Sequence, residues 1–191
     1  MIGELVKSCF LIFVAEIGDK SQLLAITFGT RYKNYQVCLG IILGVFLNHG
    51  LAIMVGKYIT GIVPINTIQL FSGLMFLVFA MLSVKVNDES IKRKDSSLTP
   101  IITVALAFFI FEFGDKTQLL AMSLGAEGKY PIFILMGTTL GILLTSYLGI
   151  FIGSKIGDKL PELLVKVVSS TVFIIFGCGK LYTWMKIMDM S

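Results

Sequence analysis

The sequence predicts an all-α membrane protein: six transmembrane helices arranged as two inverted-topology three-helix repeats. Three observations predict it. The 191-residue chain is 55% hydrophobic and only 15% charged, whereas a soluble domain carries roughly 45–50% apolar and about 25% charged residues. Its apolar residues gather into six long runs separated by short polar breaks. A ten-residue stretch also occurs twice, 96 positions apart. The mean hydropathy of +0.88 agrees. This composition argues against an ordinary soluble enzyme, a disordered chain, collagen and a disulfide-stapled secreted domain.

The runs can be taken in order. The first covers residues 4–27 and ends at the polar stretch 30–35. The second, 36–56, stops before Thr60, Gly61 and Pro64. The third, 66–86, is followed by the longest polar stretch, 87–99. The fourth covers 100–124, the fifth 131–153 and the sixth 165–187, with breaks at 125–131 and 153–162. Each is far longer than the about 9–11 residues of a barrel strand, and a helix satisfies its own backbone in lipid. The expected organisation is therefore 1–86 as one three-helix repeat, 87–99 as a cytoplasmic linker loop and 100–191 as the second repeat. The start, MIGELVK, lacks the basic run, short apolar core and A-x-A site of a cleaved signal, so the first run is expected to be a retained span.

Charge supplies the orientation. The net charge is +4, from 16 basic and 12 acidic residues. The Lys and Arg sit mostly at the ends of apolar runs, where they orient helices, so no nucleic-acid partner is implied. Arg31, Lys33, Lys85, Lys92, Arg93, Lys94, Lys155 and Lys159 fall on one side of a six-span chain, with Lys166 at its edge. Lys7, Lys57, Lys129 and Lys186 fall on the other. The positive-inside rule then puts both termini outside the cytoplasm in a multi-pass protein of the cytoplasmic membrane. Cys9, Cys38 and Cys178 lie in apolar runs without a CxxC spacing, which gives neither a zinc site nor a disulfide framework.

The repeat carries the chemistry. Residues 16–25, EIGDKSQLLA, match 112–121, EFGDKTQLLA, at eight of ten positions. After a one-residue shift Gly40 meets Gly137, Gly44 meets Gly141, Gly56 meets Gly153 and Pro64 meets Pro161. Three helices per unit is an odd number, so the second copy enters the membrane from the opposite side. Secondary transporters with inverted repeats place their ligand at the repeat interface near the midplane.

Glu16, Asp19, Glu112 and Asp115 lie inside apolar runs, where each charge costs about 2.5–3.5 kcal/mol on insertion scales. A cation, a proton or a lysine must offset that cost. Glu16, Asp19 and Gln22, and likewise Glu112, Asp115 and Gln118, are spaced i, i+3, i+6. On a continuous helix this spacing makes a stripe of oxygen ligands. Gly18 and Gly114 sit within the stripes, where they can loosen the helix, and Ser21 and Thr117 add hydroxyls. Oxygen-only ligands select hard divalent cations, so Mn²⁺ or Ca²⁺ is the expected transported substrate, with no permanently bound cofactor. Lys20 and Lys116 stand at i+4 from each Glu. Four carboxylates with two lysines leave a formal −2, which one divalent cation or two protons would neutralise. A snorkelling role for the lysines weighs about as much on this evidence. Asn48 and the lone His49 fall opposite Thr145 and Ser146; His49 could relay protons, but a buried side chain satisfied by a neighbouring helix is the favoured reading.

The doubled Glu-x-Gly-Asp-Lys-Ser/Thr motif, at 16–21 and 112–117, resembles the signature of a small membrane family. That family includes the Golgi transmembrane protein 165, its yeast Golgi homologue and the chloroplast manganese transporters. The resemblance covers nearly the whole chain and looks like a small bacterial, manganese-exporter-like member. It implies exchange of Mn²⁺ or Ca²⁺ for protons, with Glu16, Asp19, Glu112 and Asp115 forming the cation site. The partners it implies are the metal ion, protons and the lipid bilayer, and a homo-oligomer is compatible with it. A channel or uniporter and an intramembrane aspartyl protease are the alternatives. The protease fits poorly, since neither Asp follows a Tyr and the two halves are too alike to set distinct acid and base roles. A transporter, not an enzyme, is expected.

Overall fold

The computed structural model describes residues 1–84, 98–156 and 162–189, with the side chains of some of these, Lys20 among them, outside the description. Most of the expected 87–99 linker and part of the 153–162 break lie outside the described residues.

Among the described residues there are eight α-helices and no strand: α1 (Ile2–Glu16), α2 (Lys20–Gly29), α3 (Asn34–Ile59), α4 (Ile65–Val84), α5 (Pro100–Phe111), α6 (Lys116–Glu127), α7 (Pro131–Ile156) and α8 (Glu162–Asp189). The first and fourth apolar runs are therefore each two helices rather than one. Both break inside the repeated motif. Two described stretches, Asn34–Ile59 and Pro131–Phe151, are by themselves long and apolar enough to cross a bilayer. Helix starts follow local rules: α5 and α7 open on Pro100 and Pro131, where the missing N–H costs nothing and φ is preset.

The two halves interlock. α3 runs beside α5 and α6, while α7 runs beside α1 and α2. Glycines make both approaches close, and they do so at corresponding places. Gly40 lies against the carbonyl of Ile101, and Gly137 against that of Leu5. Gly44 lies against the carbonyl of Ala105, and Gly141 against that of Cys9. In lipid, apolar side chains gain little by leaving their solvent, so small residues that let backbones touch carry the association. A methyl group on Gly44 would be driven into the Ala105 carbonyl. Gly44→Ala and Gly141→Ala are each expected to destabilise the fold by about 1–3 kcal/mol, the usual cost of overpacking. Thermal unfolding in detergent reads this as a similar drop in Tm for both.

Between these helices the core holds Leu11, Ile12, Ile41, Val45, Val104, Phe108, Leu120 and Ile142, all fully buried. α4 and α8 form a second, peripheral pair. Phe76 and Phe79 of α4 meet Phe173 of α8 at ring-centroid distances of 6.1 and 5.9 Å. Large apolar side chains such as Phe71, Ile110, Ile175 and Tyr182 cover the outside, as a lipid-facing surface requires and a water-facing one would not.

The helix directions define two ends. One, here the terminal end, holds the starts of α1, α4 and α7 and the finishes of α3, α6 and α8. There the Glu4 carboxylate accepts the Lys129 and Tyr130 N–H groups at 2.7 and 2.9 Å, and Lys57 donates to the Gly128 carbonyl at 3.1 Å.

Candidate cation site

The site is built from two helix breaks. α1 ends at Glu16, and Ile17 then turns to φ −60°, ψ 121°. α5 ends at Phe111, with Glu112 closing its last turn. Gly18 follows at φ 73° and Gly114 at φ 77°, the left-handed region that glycine enters without a Cβ penalty. The chain re-enters helix at Lys20 and Lys116. Asp115, the N-cap of α6, makes no side-chain capping bond of its own. The glutamines three residues on hold the breaks instead. The Gly18 N–H donates to Gln22 Oε1 at 3.0 Å, and the Gly114 N–H to Gln118 Oε1 at 2.7 Å. This is the back-reaching half of a capping box, shifted by one residue.

The expected straight stripe of ligands is thus replaced by a kinked one. Its reason is the pair of left-handed glycines, which end the helix between Glu and Asp. Gln22 and Gln118 direct their amide oxygens at backbone N–H groups, and the Gln22 amide also donates to the Thr145 carbonyl on α7 at 3.1 Å.

The acids fall into an unequal arrangement. Glu16, Asp19 and Asp115 each offer a carboxylate oxygen, and these atoms lie within 4.8 Å of one another. Two oxygens on opposite sides of one ion at about 2.3–2.6 Å would stand roughly 4.6–5.2 Å apart, so the three can share a single cation. Glu112 is not in this group. It is 2% exposed and accepts the Thr117 hydroxyl at 2.6 Å. Glu16, fully buried, accepts the Ser21 hydroxyl on Oε2, while its Oε1 has no hydrogen-bond partner among the described residues. Lys116 reaches across from the second motif to pair with Asp19; their side chains are 18% and 17% exposed. The backbone of Lys20 opens α2, and its side chain lies outside the described residues. Two helix C-terminal ends, negative poles, and two N-terminal ends, positive poles, also meet here. That suits a site able to hold either a cation or an ammonium group.

Two further buried residues, Asn48 and His49, lie on α3. Asn48 Nδ2 donates to the Phe109 carbonyl at 2.9 Å, just before the second break. His49 is fully buried as expected, but among the described residues neither ring nitrogen has a hydrogen-bond partner, so no described part of a neighbouring helix satisfies it.

The left-handed glycines give a clean test of the break. A Cβ built on Gly114 meets nothing within 4 Å, so any effect of Gly114→Ala comes from φ alone. The expected cost is about 1–2 kcal/mol. It should appear as a lowered Tm together with weakened cation binding, and an unchanged Tm would show that the break tolerates another conformation.

Comparison with known proteins gives the family. A family profile described as "Divalent cation/proton antiporter GDT1" matches residues 4–90 and 100–187, both motifs included. The chain belongs to the GDT1 family. Within it, the chain is 32% identical over 180 residues to a Vibrio cholerae protein proposed to be a manganese exporter, covering 92% of this chain and 88% of that one. It is 26% identical over 209 residues to an Arabidopsis chloroplast PAM71 homologue, covering 90% and 57%. It is 33% identical over 79 residues to the Saccharomyces cerevisiae divalent cation/proton antiporter GDT1, covering 41% and 28%. No solved structure matches the chain. GDT1-family membership makes this a membrane cation transporter of the antiporter kind and not an enzyme, so the protease alternative falls away.

Proposed function

We propose that the chain is a secondary transporter that exports a divalent cation in exchange for protons by alternating access. Mn²⁺ is the leading substrate and Ca²⁺ the alternative. The observation that carries this reading is the convergence of Glu16, Asp19 and Asp115 at two helix breaks, with Lys116 on one of the same carboxylates. Oxygen ligands of this kind favour hard cations. Protons and a divalent ion compete for the same carboxylates, which couples their movements. The manganese exporter assignment of the Vibrio relative favours Mn²⁺.

The same proposal takes α1–α2 and α5–α6 as broken spans, so that the chain crosses six times. Residues 1–86 and 100–191 would then be inverted three-helix repeats joined by a cytoplasmic linker at 87–99. The corresponding glycine contacts of the halves support that relation. Six crossings put both termini on one side, outside the cytoplasm by the Lys/Arg count, in the cytoplasmic membrane.

The test is reconstitution into liposomes with a pH-sensitive dye in the lumen. Mn²⁺ entering should drive protons out and raise luminal pH, with saturable kinetics, and Ca²⁺ and Mg²⁺ rank the ion preference. Saturation-free Mn²⁺ entry with no proton movement would point to a channel or uniporter and end the exchanger reading.

A further inference from the structure

One partly buried ion pair lies away from the cation site. Lys180 of α8 pairs with Glu127 at the finish of α6, their side chains 16% and 11% exposed. One turn earlier on α6, the Ser123 hydroxyl donates to Ser72 Oγ of α4 at 2.7 Å, and both serines are buried. Lys7 of α1 lies within electrostatic reach of Lys180.

These contacts are where the peripheral α4–α8 pair meets the acid-bearing core. α4 and α8 pack chiefly on each other; beyond that, α4 touches α6 and α8 touches α1. The polar contacts all lie toward the terminal end. Among the described residues, α2 and α5 make no comparable approach to α4 or α8. At that far end a cavity of about 250 Å³ opens between α2, α3 and α7, lined by Ile26, Thr30, Asn34 and Tyr147 among others.

The sequence makes the contact one-sided as well. In the repeat, Lys180 corresponds to Ser83, and the stretch after α2, Thr30 and Arg31, has no acid to match Glu127. When two similar halves exchange conformations, a contact that only one can make exists in only one of the two states. The pair is also poor static cement. Glu127 Oε1 has no hydrogen-bond partner among the described residues, and a partly buried pair with unmet hydrogen bonds stabilises little. Such a pair suits a contact that opens into water.

We infer that Glu127 and Lys180 form a gate latch: it clamps α8 against α6 at the terminal end and must part for the cation site to face that side. The inference rests on the transporter reading above. Glu127 and Lys180 act on access to the site and do not touch the cation.

The test joins the two positions covalently. In a chain with Cys9, Cys38 and Cys178 replaced by Ser, Glu127→Cys and Lys180→Cys are linked by a short bifunctional methanethiosulfonate. Removing both charges leaves no orphaned ion, so the unlinked protein is expected to fold and exchange. Linking should cut Mn²⁺/proton exchange in liposomes by on the order of tenfold or more, as a blocked gating step does. Mn²⁺ binding in detergent should survive, and reductant should restore exchange. Undiminished exchange by the linked protein overturns the latch and leaves the transporter reading standing. A native chain that binds Mn²⁺ but never exchanges it overturns the transporter reading, and the latch with it. The swap of Glu127→Lys with Lys180→Glu adds a second check. It should exchange better than either single change, and a folded swap no better than the singles would also overturn the latch.

Discussion

Glu16→Gln is expected to weaken Mn²⁺ binding by on the order of 100-fold, the upper end of what even indirect supports of a metal ligand are worth, whereas Glu112→Gln should weaken it much less. The difference follows from the geometry. Glu16 belongs to the group of three converging carboxylates, and Glu112 does not. Each substitution keeps the shape of the side chain and an oxygen to accept its own hydroxyl, from Ser21 or Thr117. Loss of binding therefore reports loss of a charged ligand rather than loss of the fold. Titration of free Mn²⁺ by its paramagnetic resonance signal would compare the two in detergent. On the proposed alternating-access reading, exchange in liposomes should fall in both variants, because the second half would take over the site when the halves trade conformations. Equal binding losses would mean that the two glutamates share the ion in this state, contrary to their unequal placement.

That inequality is what the sequence could not show. Its two motifs are nearly identical, so every reading from residues alone treats Glu16 and Glu112 alike. Only packing decides which carboxylate stands with Asp19 and Asp115. The helical character, the polar breaks and the correspondence between halves were legible, because apolar runs and a repeated ten-residue stretch are written in residue order. The helix break was half legible. Gly18 and Gly114 sit in the motif where a helix could loosen, but hydropathy reads straight through them, and the runs 4–27 and 100–124 looked continuous. What fixes the break is a three-dimensional fact: the glutamine amides fold back onto the glycine N–H groups. The spacing of Gln22 and Gln118 was visible, but it is equally that of a ligand stripe. Lys180 was the missed signal. It stands inside the apolar run 165–187, and an ionisable residue there asks for a partner. That partner, Glu127, lies 53 residues away in sequence, on another helix, beyond the reach of any local pattern.

Lys116→Met should tighten Mn²⁺ binding about tenfold or more while slowing exchange. The Lys116 ammonium sits on Asp19, one of the three converging carboxylates. On the proposed reading, ammonium and metal ion compete for the same oxygens, and the metal's apparent affinity would include the work of displacing the lysine. Removing that competitor, and its like-charge repulsion, strengthens binding; a tenfold gain corresponds to about 1.4 kcal/mol. The empty protein loses in turn. Taking one partner from a buried pair costs about 3–5 kcal/mol, a figure that the partial exposure of this pair reduces. The variant should therefore melt lower than the native chain without metal and gain more from it, since a ligand at 100 times its Kd adds about 2.7 kcal/mol. Slower exchange follows because the lysine no longer returns to expel the ion. Adding Asp19→Asn removes the orphaned carboxylate, so the double variant should recover stability without metal but bind Mn²⁺ weakly. If Lys116→Met instead binds Mn²⁺ no more tightly than the native chain, the ammonium is a structural brace. The coupling of metal and proton would then have to run through the glutamates alone.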